Sequence, residues 1–165
     1  MSTFTGQIEQ KLDGKGRLSI PAAYRAVLEQ NDAKWEQGKP ARLAVQHSRD
    51  LKGYLKVWTM DRITEIREGI EKMPEGPHKK GLAYLYSVET TDVSLDKDGR
   101  MVLPQRMRDK LDVEGEAPLA LLGYGRYFEI WRDEATTSRE DEVTSWLDSI
   151  PDGVDPLSFI DSPPE

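Results

Sequence analysis

The 165-residue chain contains no cysteine, which excludes disulfides, zinc ribbons and thiol nucleophiles. It has two histidines, His47 and His78, neither at metal-ligand spacing from a second ligand. Both read as surface or loop residues rather than catalytic or metal-binding ones. No run approaches the ~18–20 apolar residues of a membrane span. Met1–Gly6 lacks the basic-then-apolar pattern of a secretion signal. A cytoplasmic soluble protein with no membrane partner is therefore expected.

Enzyme signatures are missing as well. Gly14-Lys15-Gly16 is not followed by a phosphate-loop Lys-Ser/Thr or by the full Gly-x-Gly-x-x-Gly. Ser94, Asp96, Asp98 and Gly99 resemble the start of a calcium loop. That loop fails because its first ligand is Ser, its twelfth is Gln105, and Pro104 lies inside it. Ser19 has no histidine partner, and the plentiful carboxylates sit where turns and ion pairs explain them. The sequence thus calls for no catalytic residue, no metal and no cofactor.

What the chain has in excess is acid: 30 Asp and Glu against 23 Lys and Arg, a formal charge of −7. Taken whole, that argues against nucleic acid, since phosphate binding is driven by Lys and Arg. The acid is unevenly placed. Residues 133–165 hold ten acidic side chains and one basic, whereas residues 1–132 hold 20 acidic and 22 basic. Residues 11–56 carry ten basic and five acidic groups. Any polyanion is expected to sit on the slightly basic body. The tail supplies solubility or, alternatively, competes with DNA for the basic turns.

The other excess is an internal repeat. Leu12-Asp13-Gly14-Lys15-Gly16-Arg17-Leu18-Ser19-Ile20-Pro21-Ala22-Ala23-Tyr24-Arg25 aligns without gaps on Leu95-Asp96-Lys97-Asp98-Gly99-Arg100-Met101-Val102-Leu103-Pro104-Gln105-Arg106-Met107-Arg108. Six of 14 positions are identical, and Leu18/Met101, Ile20/Leu103 and Leu28/Leu111 stay apolar. Downstream, Tyr54–Trp58 parallels Tyr127–Trp131. The offset falls from 83 to 73, so the first copy carries ten extra residues, placed around Trp35 to Arg49.

Each copy reads as strand, tight turn, strand, short helix and closing hairpin. Ile8, Gln10 and Leu12 alternate before the first turn, as Val93 and Leu95 do before the second. Gly16 and Gly99 suit positive φ or close backbone approach. Pro21 and Pro104 suit the first helical position, followed by helix formers over Ala22–Gln30 and Gln105–Leu111. Ile63, Ile66, Ile70 and Met73 form one apolar stripe, and Val143, Trp146, Leu147 and Ile150 form another; both are expected to pack on the core. Pro74, Gly76 and Pro77 end the first of these helices, and Lys79–Ser87 starts another. The expected segments are modules at 5–56 and 89–132, connecting helices at 57–88, a helix at 133–150, and a loosely packed acidic, Pro-rich tail at 151–165.

The repeated Asp-x-x-Gly-Arg turn presents one guanidinium per copy, able to grip a phosphate or a guanine edge with two bonds. Lys11, Lys15 and Arg17 gather cations at the first turn, and Lys97 and Arg100 at the second. Equally, Arg17 and Arg100 could simply pair with Asp13 and Asp96 and hold the turns. Arg25 and Arg108, four residues after the prolines, read as ion pairs or stem packing.

These motifs, with Gly123-Tyr124-Gly125-Arg126-Tyr127-Phe128-Glu129-Ile130-Trp131, resemble the signatures of the MraZ family over about residues 4–147. The resemblance implies an α+β fold of two tandem SpoVT/AbrB-like modules, a double-split, swapped-hairpin β-barrel with pseudo-twofold symmetry and flanking helices. It further implies a sequence-specific, nucleoid-associated regulator of the cell-division and cell-wall gene cluster. Such a regulator assembles as a ring-shaped homo-oligomer on short direct repeats of double-stranded DNA upstream of its own operon. By the same resemblance Arg17 and Arg100 contact DNA, Asp13, Gly16, Asp96 and Gly99 support them, and Lys15 is the basic residue of the first motif. Asp98 stands where the first copy has Lys15, which weakens the second turn. The competing readings are an interaction or scaffold module on the same barrel, and an enzyme using clustered carboxylates.

Overall fold

The computed structural model describes residues 2–161. The chain divides into two units, Met1–Asp133 and Glu134–Glu165. In the first unit each repeat lays out the expected order. Strands β1 (Gln7–Leu12) and β2 (Arg17–Ser19) precede helix α1 (Ala22–Gln30) and the hairpin of β3 (Arg42–Gln46) and β4 (Tyr54–Trp58). After α2 (Met60–Glu71), α3 (Pro77–Ala83) and a five-residue π-helix (Tyr84–Val88) the pattern recurs. It runs through β5 (Thr90–Ser94), β6 (Arg100–Val102), α4 (Gln105–Leu111), β7 (Ala117–Gly123) and β8 (Tyr127–Arg132).

The repeats do not fold side by side; they exchange strands. All eight form one antiparallel sheet in the order β5-β3-β4-β8-β7-β1-β2-β6. Thus β1 of the first repeat pairs with β7 of the second, and β5 of the second pairs with β3 of the first. The end strands β5 and β6 are joined by the second turn, where Asp96 N–H donates to the Arg100 carbonyl at 2.8 Å. The sheet therefore nearly closes into a barrel, which protects its edges.

The register shows the pseudo-twofold directly. Arg17, Leu18 and Ser19 pair with Val102, Met101 and Arg100, so the axis passes between the equivalent residues Leu18 and Met101. It emerges again where Lys56 of β4 faces its equivalent Glu129 of β8. Equivalent residues Lys11 and Ser94 pair with Pro118 and Arg42, an offset of 76. Seven of the ten extra residues therefore lie between α1 and β3, and three in the β3–β4 loop.

The core gathers the apolar positions the repeat shares: Leu18, Ile20, Leu28, Met101, Leu103 and Leu111 are all buried. Phe4, Tyr24 and Phe128 close it at one end, with ring centroids 4.9–5.0 Å apart. On the outer face of β3 and β4, Ile63 of α2 packs with Ala44 and Trp58, with Ile66 against them. Ile70 of the same stripe is buried, as its spacing predicts, while Met73 is only half-buried. Helix α2 ends before Pro74, and α3 continues into the π-helix over the segment expected to be helical.

Three expectations change. Pro21 and Pro104 are N-caps, one residue before the first helical position: their ψ of 146° and 161° is extended, and their carbonyls accept the N–H groups of Tyr24 and Arg25 and of Met107 and Arg108. His47 is buried, its Nε2 3.1 Å from Thr91 Oγ1. Burial, with Arg106 nearby, holds its pKa below the usual histidine value. In the second unit, helix α5 (Thr137–Ser149) leaves Val143, Trp146 and Leu147 about half exposed, so its stripe is not core. The tail forms a 3₁₀ turn (Pro156–Ile160) with Phe159 6.4 Å from Trp146; positions 162–165 lie outside the described residues. Among the described residues no helix is long and apolar enough to cross a membrane.

The insertion in the first repeat is pinned by an ion pair between a buried aspartate and a one-third exposed arginine. Arg42 Nε and Nη2 donate to Asp32 Oδ2 and Oδ1 at 2.9 and 2.7 Å, and the Asp32 side chain is 2% exposed. Burial opposes ionisation of Asp32, but the Arg42 bonds and the Lys34 N–H outweigh it and lower its pKa. A carboxylate with a lowered folded pKa adds stability that is present above its unfolded pKa and is lost as pH falls through the folded value. Asp32→Asn should cost about 2 kcal/mol at pH 7, discounted because Arg42 can rehydrate. In thermal melts the gap to the parent chain should close as pH falls through the lowered folded pKa of Asp32. A gap that persists there would mean the pair is not ionic in origin.

Candidate nucleic-acid interface

The two repeated turns have the same internal bonding. Asp13 Oδ1 accepts the N–H groups of Lys15 and Arg17 at 2.9 and 2.8 Å, while Oδ2 accepts Arg17 Nε at 2.7 Å. In the second copy Asp96 Oδ1 accepts from Asp98 and Arg100 N–H at 2.8 and 2.9 Å, and Oδ2 takes Arg100 Nε at 3.1 Å. Each aspartate therefore folds its turn and aims its arginine at once. Both aspartate pKa values lie below the ordinary value. The leading cause is the backbone N–H of the paired arginine, against a smaller opposing effect of desolvation.

The register places both arginines on one face of the β2–β6 ribbon. Arg17 sits opposite Val102 and Arg100 opposite Ser19, and all four lie on the face away from buried Leu18 and Met101. Diagonal neighbours on such a ladder have Cα atoms about 7–8 Å apart. The ribbon thus carries two arginines on one face, related by the pseudo-twofold, each with its guanidinium held by the aspartate of its own turn.

Each turn is braced by the other repeat. Ile20 N–H donates to the Gly99 carbonyl at 3.0 Å, and Leu103 N–H to the Gly16 carbonyl at 2.7 Å. Gly16 and Gly99 have φ of 77° and 76°, where a side chain is strained. A Cβ at Gly16 would lie 2.6 Å from Arg108 Nη1, and one at Gly99 2.7 Å from Arg25 Nη1. The helix arginines therefore pack across the axis onto the opposite turn. Arg25 Nη1 also donates to the Ile20 carbonyl, whereas Arg108 Nη2 reaches Gln105 at 3.0 Å and its Nε is buried without a bond among the described residues. Of the two roles open to them, packing is the one observed. Their recurrence at equal spacing was the only sequence signal, and it could not say which turn they touch.

The turns differ in charge. Arg17 meets one carboxylate, and Lys15 beside it is exposed with no ion pair among the described residues. Arg100 is held by two, Asp96 and, through Nη2 at 3.1 Å, Asp98. Lys97 is exposed at the rim of a cavity of about 390 Å³ beside the second turn. Lys11 lies one strand away on β1, paired with Glu116 at 3.0 Å. The first turn is the electropositive one. Among the described residues no group of three or more His, Asp or Glu side chains is arranged to hold a metal ion.

A family model described as "MraZ protein, putative antitoxin-like" matches residues 87–142. The chain is 35% identical over 160 residues to "Transcriptional regulator MraZ" of Ruegeria sp. (strain TM1040), covering 96% of this chain and 95% of the relative. The protein of the same name from Ruegeria pomeroyi is 34% identical over 161 residues, with the same coverage. That of Rhodospirillum rubrum is 30% identical over 138 residues, 82% of this chain and 83% of its own. With its two strand-exchanged repeats and paired Asp–Arg turns, the chain belongs to the MraZ family.

Proposed function

We propose that this chain is a DNA-binding transcriptional regulator that grips double-stranded DNA with the β2–β6 ribbon. The observation that carries the reading is the pair of aspartate-aimed arginines, Arg17 and Arg100, on one face of the ribbon. A two-stranded ribbon fits the major groove, and a guanidinium can take a phosphate or a guanine edge. The names of its relatives as transcriptional regulators support the same reading.

The finer reading follows from the family resemblance: short direct repeats upstream of its own operon, in the cell-division and cell-wall cluster, bound by a ring of copies in the nucleoid. Physics favours an assembly. One subunit offers few cations, hence weak and salt-sensitive binding. Several turns on one scaffold act together when the DNA boxes match their spacing. The double pairing of Arg100 favours a second reading, in which the barrel is an interaction module and its arginines are structural.

Fluorescence anisotropy separates the two. Labelled DNA from upstream of the reading frame should bind cooperatively, far more tightly than a shuffled fragment, and log K should fall linearly with log salt. No binding at low salt would overturn the DNA reading, and equal binding of the shuffled fragment would overturn its sequence specificity.

A further inference from the structure

Among the described residues of the first unit, an open groove of about 640 Å³ lies between the β3–β4 loop, the π-helix and α4. Tyr84 and Val88 of the π-helix line it and are 43% and 59% exposed, an uncommon apolar presentation in this unit. Single-turn π-helices recur at functional sites. Arg106 and Lys110 supply its cations, Lys110 also donating to the Ser48 carbonyl at 2.9 Å, while Arg49 is paired with Glu89. The two acids in its wall are already engaged: Glu89 with Arg49 at 3.2 Å, and Asp109 with Gln105 at 2.7 Å. The equivalents of Arg106 and Lys110 in the first repeat are Ala23 and Val27, so this charge belongs to one copy alone.

The second unit carries the complement. Helix α5 presents Val143, Trp146 and Leu147 about half exposed, and Glu140 flanks that stripe at helical spacing, with Glu142 beside it paired to Arg139 at 2.7 Å. Residues 133–165 hold ten acids and one base. Pairing α5 with another α5 would set like charges together, whereas the groove offers opposite charge and matching apolar surface.

We propose that α5 of one copy docks in the Tyr84–Val88 groove of a second copy. This rests on the ring reading above and gives that ring its joint. The two surfaces are different, so each copy gives one and receives one. Such a head-to-tail contact closes into a ring when its rotation allows.

The test uses the full chain and light scattering. The parent chain should be multimeric. Val88→Asp with Arg106→Glu, and separately Trp146→Ala with Leu147→Ala, should each give monomers with unchanged circular dichroism, since all four side chains are exposed. A photo-crosslinking side chain at position 147, in mixed light- and heavy-isotope chains, should label Tyr84–Val88 or Arg106–Lys110 of the other isotope. Variants that stay multimeric, or crosslinks from α5 to α5, would overturn the docking while leaving the ring standing. A monomeric parent chain would defeat the ring reading and the docking with it.

Discussion

Arg17→Ala should remove most upstream-DNA binding, at least tenfold per engaged turn, while leaving the melting temperature within a few degrees. The Arg17 side chain is about one-third exposed and its Nε bond goes to a carboxylate that can turn to water. Surface pairs of this kind contribute little to stability. The two N–H bonds that fold the turn run from the backbone to Asp13 and survive the substitution. Arg17→Lys should recover only part of the affinity, because a lysine cannot make the bidentate contact. In an assembly the loss multiplies across copies. Arg17→Ala binding normally at low salt would assign the turn a purely structural role.

Asp98→Lys should do the opposite. It removes one of the two carboxylates on Arg100, frees Nη2, and places a cation where the first turn has Lys15. Affinity should rise several-fold, and the slope of log K against log salt should steepen by about one per added phosphate contact. A rise on shuffled DNA as large as on the upstream fragment would show that the second turn gained charge without gaining sequence reading. No change in either quantity would mean that the second turn does not face DNA.

Much of the barrel was legible in the sequence because a duplicated motif states its own boundaries. Leu12–Arg25 against Leu95–Arg108 located both turns, both short helices and their buried residues. What a repeat cannot state is which copy its strands pair with. The exchange of β1 and β5 has no local signature and is implied only by the swapped-hairpin barrel of the family resemblance, whereas the packing of Arg25 and Arg108 on the opposite turns is a long-range fact that no motif states. The stripe on α5 marks the opposite limit. Periodicity identified the face of Val143, Trp146 and Leu147, but not what covers it. A lone histidine carries no signal of burial, so the surface position expected of His47 gives way to a buried one. Of the site, sequence gave the arginines and their aspartates, while the doubled hold on Arg100 needed coordinates.

The register at β4–β8 sets Lys56 against Glu129 on the pseudo-twofold axis. Were each repeat a separate chain pairing with an identical partner, a residue on that axis would confront itself, lysine on lysine or glutamate on glutamate. Joining both copies in one polypeptide lifts that constraint, so unlike residues can share a symmetric position. The same freedom covers Lys15 and Asp98, Val27 and Lys110, and the ten residues inserted on one side only. A tandem chain can keep the geometry of a dimer while giving its two halves different tasks.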